Sequence, residues 1–431
     1  MSSKATFFIK SMGCKSNQFE GDLIVKNLES AGYVRTFDVS EAEYYILNSC
    51  SVTHKSDNET LYLLRNTKNK YPNIITILTG CVAQIEKEKL LKKDYIDYVF
   101  GNDDKFEIAS FLSQKTSKVS DIMCLETFNY KVLDDTRKTR FSLKIQDGCN
   151  NRCAYCIIPF ARGKSRSANS DFVVEQINNA VQQGFKEVVF TGIHIGQWGV
   201  DFNKTILDLL KEVEYKTQIP RFRLGSLNPL EITTDLLDFL QNSEKFCPHF
   251  HLSLQSACNK TLKSMNRFYT VERYLEQIED ICSRFDKPFF GCDIITGFVG
   301  ETDTDFETTV ENLKKSKLSK IHTFPYSIRK GTQAESMEGH IPSNIKQARA
   351  EIVKEISNIK YNEFLQSNIG SIHEVLIEKR PDKHTNMLKG MTKNYLEVLI
   401  ENKTCSDDYF NSIQQIKIEK ADASSIYATF L

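Results

Sequence analysis

Three cysteines stand within eight residues, Cys149, Cys153 and Cys156, in the stretch QDGCNNRCAYCIIPFARGKSRS from Gln146 to Ser167. Thiolates at such spacing are soft ligands for zinc or for an iron–sulfur cluster. Structural zinc takes four protein ligands, the second pair about ten to twenty residues on. No Cys or His pair with that spacing follows Cys156, and the next histidine, His194, stands alone at the end of an apolar run. A four-iron cluster held by three thiolates instead leaves one iron open to a further ligand. The triplet therefore reads as an incomplete cluster site.

The chain has twelve cysteines in 431 residues, more than packing requires. The start, MSSKATFFIKSMGCKSNQ, lacks the apolar stretch and cleavage site of a signal peptide, and no run approaches a membrane span. A cytoplasmic protein without a membrane partner is expected, where clustered thiols serve metals or redox chemistry rather than disulfides. Cys124, Cys247, Cys258, Cys282, Cys292 and Cys405 have no ligand spacing and read as small buried hydrophobes. Beside the triplet that leaves Cys14, Cys50 and Cys81.

Lysine plus arginine equals aspartate plus glutamate at 56 each, for a formal net charge of zero. This excludes a general nucleic-acid coat or a polybasic membrane binder. Any RNA contact must come from local patches, and two candidates are RKTR (Arg137 to Arg140) and ARGKSR (Ala161 to Arg166).

These residues must be positioned by secondary structure. TFFIKSMG, EYYILNSC and NIITILTGC read as strands, with helical patterns in QFEGDLIVKNLESAG and DNETLYLLRNTKNKY between them. Such alternation predicts a small parallel α/β sheet. Cys14, Cys50 and Cys81 each follow one of those strands, on the edge where parallel sheets bind ligands, so they should converge. From Arg140 a second series begins: RFSLKIQ, EVVFTGIHI, RFRLGSL, HFHLSLQS, PFFGCDIITGF and KIHTFPYS. Six βα units fall short of the eight of a closed barrel, which predicts an open, partial (β/α)6 barrel with its site at the strand carboxyl ends. After the helical SNIKQARAEIVKEISNIKYNEFLQSNIG, short alternating segments predict a small all-β, OB-like barrel. The expected division is 1–125, a linker at 126–139, 140–368 and 369–431.

The C-x3-C-x2-C spacing, with Tyr155 before the last cysteine, resembles the radical S-adenosylmethionine superfamily. The resemblance implies that the open iron chelates the amino and carboxylate groups of S-adenosylmethionine. One electron then cleaves the sulfonium to a 5′-deoxyadenosyl radical. Nearly its whole length resembles the methylthiotransferases. SMGCKSNQFEGD, LNSCSVT and LTGCVAQ look like that family's three N-terminal motifs, matching at Cys14, Asn17, Gln18, Cys50, Thr53, Gly80, Cys81 and Gln84. GMTKNYLEV resembles its RNA-binding TRAM domain at Gly390, Thr392, Asn394, Tyr395 and Val398. The family implies a second, auxiliary 4Fe-4S cluster on Cys14, Cys50 and Cys81. It also implies two equivalents of S-adenosylmethionine, one to methylate a sulfur carried on the auxiliary cluster and one to be cleaved. An electron donor such as flavodoxin or ferredoxin follows.

Further cofactor-binding candidates come from the same likeness. DIITGFVGET, beginning at Asp293, matches the superfamily's glycine-containing strand at Gly297, Gly300 and Glu301; a glycine pair at a strand end also makes an ordinary turn. FTGIHIGQWG occupies the place of the motif that holds the methionine amino group but lacks its acidic residue, leaving the carbonyls near Thr191 and Gly192. Ser253 and Gln255 in HLSLQS are candidates for the ribose hydroxyls or for satisfying a loop. Arg162, Lys164 and Arg166 are candidate phosphate contacts, against the reading of a solvated charge run.

Family members act on tRNA beside the anticodon or on a ribosomal-protein aspartate. MNRFYT, HTFPYSIRKGTQA and TGIHIGQWG look most like the branch that modifies C2 of N6-threonylcarbamoyladenosine at position 37, and Arg329 or Lys330 is a candidate for the threonine carboxylate. The alternatives are isopentenyladenosine, the ribosomal-protein substrate, and a non-catalytic iron–sulfur or zinc RNA-binding protein. No pairing helix stands out, so a monomer is expected.

Overall fold

The computed structural model describes residues 4–51, 53–129, 138–401, 407–422 and 425–431. Apolar and aromatic runs near the N-terminus form strands β1 (Thr6–Ser11), β2 (Val34–Arg35), β3 (Tyr44–Ser49), β4 (Ile75–Gly80) and β5 (Tyr98–Val99). All pair in parallel in the order β2-β1-β3-β4-β5. Helices α1 (Lys15–Ser30), α2 (His54–Lys70) and α3 (Cys81–Leu90) cross between strands. Covered on both faces, the central strands bury Ile46, Leu47, Ile77 and Leu78 completely, which is why they read as unbroken apolar runs. In this strand order the ligand crevice lies where the order reverses, between β1 and β3. Cys14 and Cys50 follow those two strands.

The second body is an open barrel wall in two parallel sheets. One holds β6 (Phe141–Lys144), β9 (Glu187–Thr191) and β10 (Arg221–Arg223), with β9 in the centre. Between β6 and β9 the chain forms a short antiparallel pair, β7 (Gln146–Asp147) with β8 (Arg166–Ser167). The other sheet runs β11 (Ser226–Leu227), β12 (His249–Leu252), β13 (Phe289–Thr296) and β14 (Lys320–Pro325). RFRLGSL, expected as one strand, is interrupted at Leu224–Gly225 and changes sheet there. A side chain on Gly225 would meet the Phe190 carbonyl oxygen at 2.9 Å, so the chain must bend against β9. The six-unit open barrel is otherwise as expected.

After the helix Ser343–Ser367, strands β15 (Ile372–Ile377), β16 (Leu388–Thr392), β17 (Glu397–Ile400), β18 (Ile413–Ala421) and β19 (Ile426–Phe430) close a barrel in the order β15-β16-β17-β19-β18. Strand β16, LKGMT, carries no clear alternation and had no separate prediction. A buried ionic cluster docks this barrel onto the central body. Glu187 and Arg221 are fully buried and Arg223 nearly so. Arg221 donates to Glu187 and, at 2.9 Å, to the Met391 carbonyl. Arg223 donates to the carbonyls of Thr392 and Lys393 at 3.0 Å each.

Of the cysteines expected in the core, Cys247, Cys258 and Cys292 are buried, Cys282 is half-buried and Cys124 is exposed. Cys124 sits in a short turn after Asp121, where a surface loop offers nothing to pack against. Cys405 and Arg137, with much of the expected linker, lie outside the described residues. No helix among the described residues is long and apolar enough to cross a membrane.

Candidate active site between two cysteine triplets

The β7–β8 pair clamps the base of the loop that carries Cys149, Cys153 and Cys156. Gly148, at φ +73°, is required at its entry: a Cβ there would fall 1.9 Å from the Lys164 carbonyl oxygen. All three thiols line one cavity of about 180 Å³, together with Tyr155, Ser253 and Gln255. Two side chains from elsewhere in the barrel reach the sulfurs. His194 Nδ1 lies 3.4 Å from Cys149 Sγ, and its other nitrogen pairs with Glu231. Arg267 Nη1 donates to Cys153 Sγ at 3.4 Å, and its Nη2 donates to the Ser253 carbonyl.

Cys14, Cys50 and Cys81 stand at the strand ends where the sequence puts them. Cys14 caps α1, Cys50 follows β3, and Cys81 opens α3. Helix N-termini favour negative charge, which suits thiolates at two of the three positions. Gly13 lies so near Cys50 that an added Cβ would come within 2.4 Å of its sulfur. Cys14 is open to solvent by surface area, yet neighbouring protein crowds it: burial raises its thiol pKa, with the Arg162 guanidinium opposing.

A seam of polar contacts holds the two bodies together. Asn102 Nδ2 donates to the Ala161 carbonyl at 2.8 Å and lies 3.7 Å from Cys81 Sγ. Ser16 donates to the Gly192 carbonyl at 3.2 Å, and the His54 amide donates to Ser327 at 2.9 Å. At its centre Glu20 accepts from Arg162, Lys105 and Lys144, all buried. Burial alone would raise the Glu20 carboxyl, but Arg162, Lys105 and Lys144 hold it well below the usual carboxylate range. Beneath the seam the barrel lumen forms a cavity of about 710 Å³, with Cys14, Thr191, Gly192 and Asp293 among its walls.

Two family profiles match the chain. One is described as uncharacterized protein family UPF0004, over residues 6–101, and the other as the radical SAM superfamily, over 143–313. The Bacillus subtilis protein named threonylcarbamoyladenosine tRNA methylthiotransferase MtaB is 33% identical over 97% of this chain and 94% of its own. The Aquifex aeolicus protein of the same name is 35% identical over 90% and 95%. A Clostridium botulinum protein named tRNA-2-methylthio-N(6)-dimethylallyladenosine synthase is 31% identical over 97% and 96%. The chain belongs to the radical S-adenosylmethionine methylthiotransferase family. A solved radical S-adenosylmethionine methyltransferase, TsrM from Kitasatospora setae, shares the fold at 13% identity, with a TM-score of 0.56 over 77% of each chain.

Enzymes of this superfamily carry a 4Fe-4S cluster and S-adenosylmethionine, and the donor set at the 149–156 loop fits them. Three thiols share a cavity with hydroxyl and amide groups, and a cationic guanidinium faces one sulfur. Among the described residues no three His, Cys, Asp or Glu side chains close on a single metal ion. A cubane takes its thiolates at separate corners, so its ligands stand further apart than those of one ion.

Of the methylthiotransferase's other candidates, Tyr155, Gln255 and Asp293 line a second pocket of about 270 Å³ that shares Cys156 with the first. Gln255 bridges to β13, its amide donating to the Asp293 carbonyl at 2.7 Å. Ser253 lies 2.9 Å from Ser226 by their hydroxyls. Thr191 is buried, and its hydroxyl has no hydrogen bond among the described residues. Glu301 accepts from the Gly297 amide at 2.8 Å and from Arg349 at 2.6 Å, so it braces the Gly297–Gly300 turn from beneath.

Three expected cationic contacts stand elsewhere. Arg162 and Arg166 are buried, Arg162 on Glu20 and Arg166 on the Arg162 and Lys164 carbonyls, so neither faces a phosphate. Arg329 is buried too, bonded to Ser51 and Asp57 of the N-terminal body, and is not free to meet a carboxylate. Lys164 and Lys330 are exposed. Asn102 lies in no motif; Arg267 and His194 lie within MNRFYT and TGIHIGQWG, where nothing in the sequence marks them as partners of the thiols.

Proposed function

We propose that the enzyme adds a methylthio group to C2 of N6-threonylcarbamoyladenosine at position 37 of tRNA. In this reading Cys149, Cys153 and Cys156 hold the cluster that binds S-adenosylmethionine, and Cys14, Cys50 and Cys81 hold a second, auxiliary 4Fe-4S cluster. Tyr155, Ser253, Gln255, Asp293 and the Gly297–Gly300 turn surround the nucleoside part of S-adenosylmethionine, and the carbonyls near Thr191 and Gly192 its methionine end. The reaction uses two S-adenosylmethionine and an electron donor of the flavodoxin or ferredoxin kind, in the cytoplasm, with the chain as a monomer. The bodies divide at 1–125, 140–368 and 369–431, the last serving as the TRAM-like RNA-binding module.

The observation that carries this reading is Asn102. One amide reaches both Cys81 and Ala161, five residues past Cys156, so the two triplets flank a single seam. A sulfur held on one side can therefore meet a carbon activated from the other without leaving the site. When bound and reduced, the cluster and S-adenosylmethionine supply a radical that removes hydrogen from an unactivated carbon. The chain's own part is to hold the partners close and to keep water and quenchers out. The seam of Glu20, Arg162 and Asn102 fixes the distance between triplets, and the lumen below accepts the substrate base.

The curated relatives support tRNA as substrate by their names. The MtaB proteins, at 33–35% identity, stand somewhat nearer than the dimethylallyladenosine synthases at 30–31%. In place of Arg162 and Arg166, a groove of about 470 Å³ lined by Lys138, Arg140, Lys379 and Arg380 suits the tRNA backbone. It adjoins the lumen through Val189, Arg223 and Tyr395.

Nucleoside mass analysis of tRNA from a strain lacking the gene tests the substrate. The methylthio form of threonylcarbamoyladenosine should vanish. Loss of the methylthio isopentenyl form instead would reverse the choice. Anaerobic reconstitution should yield roughly eight irons per chain, four for each cubane, and 5′-deoxyadenosine on reduction.

A further inference from the structure

Three side chains of the barrel lumen have no part in holding a cluster or S-adenosylmethionine in the reading above. Lys320, His251 and His322 all line the cavity of about 710 Å³ that opens beside Cys14. Strand register sets their depth. Asp293 stands level with His322, while Lys320 is paired opposite Gly291, two residues nearer the barrel floor. Two residues of strand span ~6.6 Å.

Lys320 is the deep cation of this chamber. Its ammonium lies over the Tyr361 ring, 4.1 Å from the centroid, and makes no ion pair among the described residues. The other charges on the walls are mostly committed. Asp293 meets His251 at 3.0 Å, and Arg223 is taken by Glu187 and the β16–β17 turn. Glu397 enters from the C-terminal barrel and forms no salt bridge with Lys320. His251 and His322 stack above, their ring centroids 5.6 Å apart. Gly291 keeps the space beside His251 open, since a Cβ there would come within 2.8 Å of its ring. Lys320 thus stands in the lumen as a cation without a salt bridge among the described residues, with Asp293 turned to His251 and Glu397 sharing the chamber.

We propose that the N6 substituent of the substrate nucleoside enters this lumen and that Lys320, with His251 and His322, receives its terminal carboxylate. The assignment rests on the proposed substrate and names the residues that select it. With C2 presented to the two triplets at the mouth, the exocyclic group departs from the far side of N1, away from them. A threonylcarbamoyl arm places its carboxylate roughly 6 Å beyond N6 by ordinary bond lengths. That matches the drop from Asp293 to Lys320. A neutral branched substituent would leave the half-buried ammonium desolvated and unpaired, the kind of mismatch that polar sites reject strongly.

The test uses the reconstituted full-length enzyme with two anticodon stem-loops. One carries threonylcarbamoyladenosine, and the other the same nucleoside with its carboxylate converted to the neutral amide. Lys320→Met should raise KM for the carboxylate RNA about tenfold or more. It should raise KM for the amide RNA far less, and leave the iron content and 5′-deoxyadenosine formation without RNA as in the wild type. Lys320→Arg should recover most of the carboxylate preference, and His322→Gln should show a smaller shift in the same sense. Equal effects of Lys320→Met on both RNAs, or none on either, would overturn the lumen assignment while the substrate stands. A wild-type enzyme that ignores the threonylcarbamoyl RNA and modifies the isopentenyl one would overturn both.

Discussion

Arg162 and Glu20 are 142 residues apart in sequence and meet face to face, each 1% exposed, with Arg162 Nη2 donating to Glu20 Oε2 at 2.9 Å. The pair ties the loop after Cys156 to the helix after Cys14. Both cysteine triplets are therefore referenced to one buried ionic contact.

Arg162→Met should destabilise the protein by about 1.5–3 kcal/mol, because Glu20 loses its bidentate partner while Lys105 and Lys144 still hold its charge. Chemical denaturation measures this. The salt dependence of tRNA binding should keep its slope, since Arg162 neutralises no phosphate. A flatter slope would mean that the residue leaves the seam to bind RNA.

Acid should loosen the C-terminal barrel through Glu187. Burial opposes its charge, but Arg223 and Arg221 outweigh burial and hold the carboxyl at about 2, below its ordinary 4.5. A carboxyl with a depressed folded pKa stabilises fully above its unfolded value and loses that contribution as pH falls through the folded one. The window is thus pH 4.5 down to about 2, with about 3 kcal/mol at stake. Glu187→Gln should be less stable at pH 7 and show a shallower decline across that window in acid-unfolding titrations.

Arg267 should set the ease of reduction at the 149–156 loop. A guanidinium donating to Cys153 favours the more negative, reduced state of a bound cluster. Arg267→Met should shift the midpoint in an EPR-monitored redox titration to lower potential, on the order of 59 mV for a tenfold change in a one-electron equilibrium. A purely structural role would change iron content and leave the midpoint alone.

Cys14→Ala should separate the two halves of the reaction. Iron per chain should fall by about half, 5′-deoxyadenosine should still form, and methylthio transfer to RNA should stop. Loss of 5′-deoxyadenosine as well would show that the two sites cannot be loaded independently.

Much of this architecture is written in neighbouring residues. Ligand spacing in GCNNRCAYC, the run-and-cross pattern that puts Cys14, Cys50 and Cys81 after three parallel strands, and six strand–helix units are local periodicities. Local sequence was sufficient for them because strand and helix periods, and the reach of a three-residue gap, are properties of contiguous chain. Burial of charge is different. ARGKSR has the composition of a solvated patch, and whether Arg162 faces water or Glu20 depends on a helix far upstream. The same holds for Arg329, claimed by Asp57, and for Asn102, which no motif marks yet which touches both sides of the seam. A charged side chain is placed by whichever partner outweighs its desolvation, and that partner is brought near by packing between domains. Cysteine spacing was thus readable along the chain, while the contacts that join the two bodies, such as Asn102 beside Cys81 and on the Ala161 carbonyl, exist only once the domains have closed on one another.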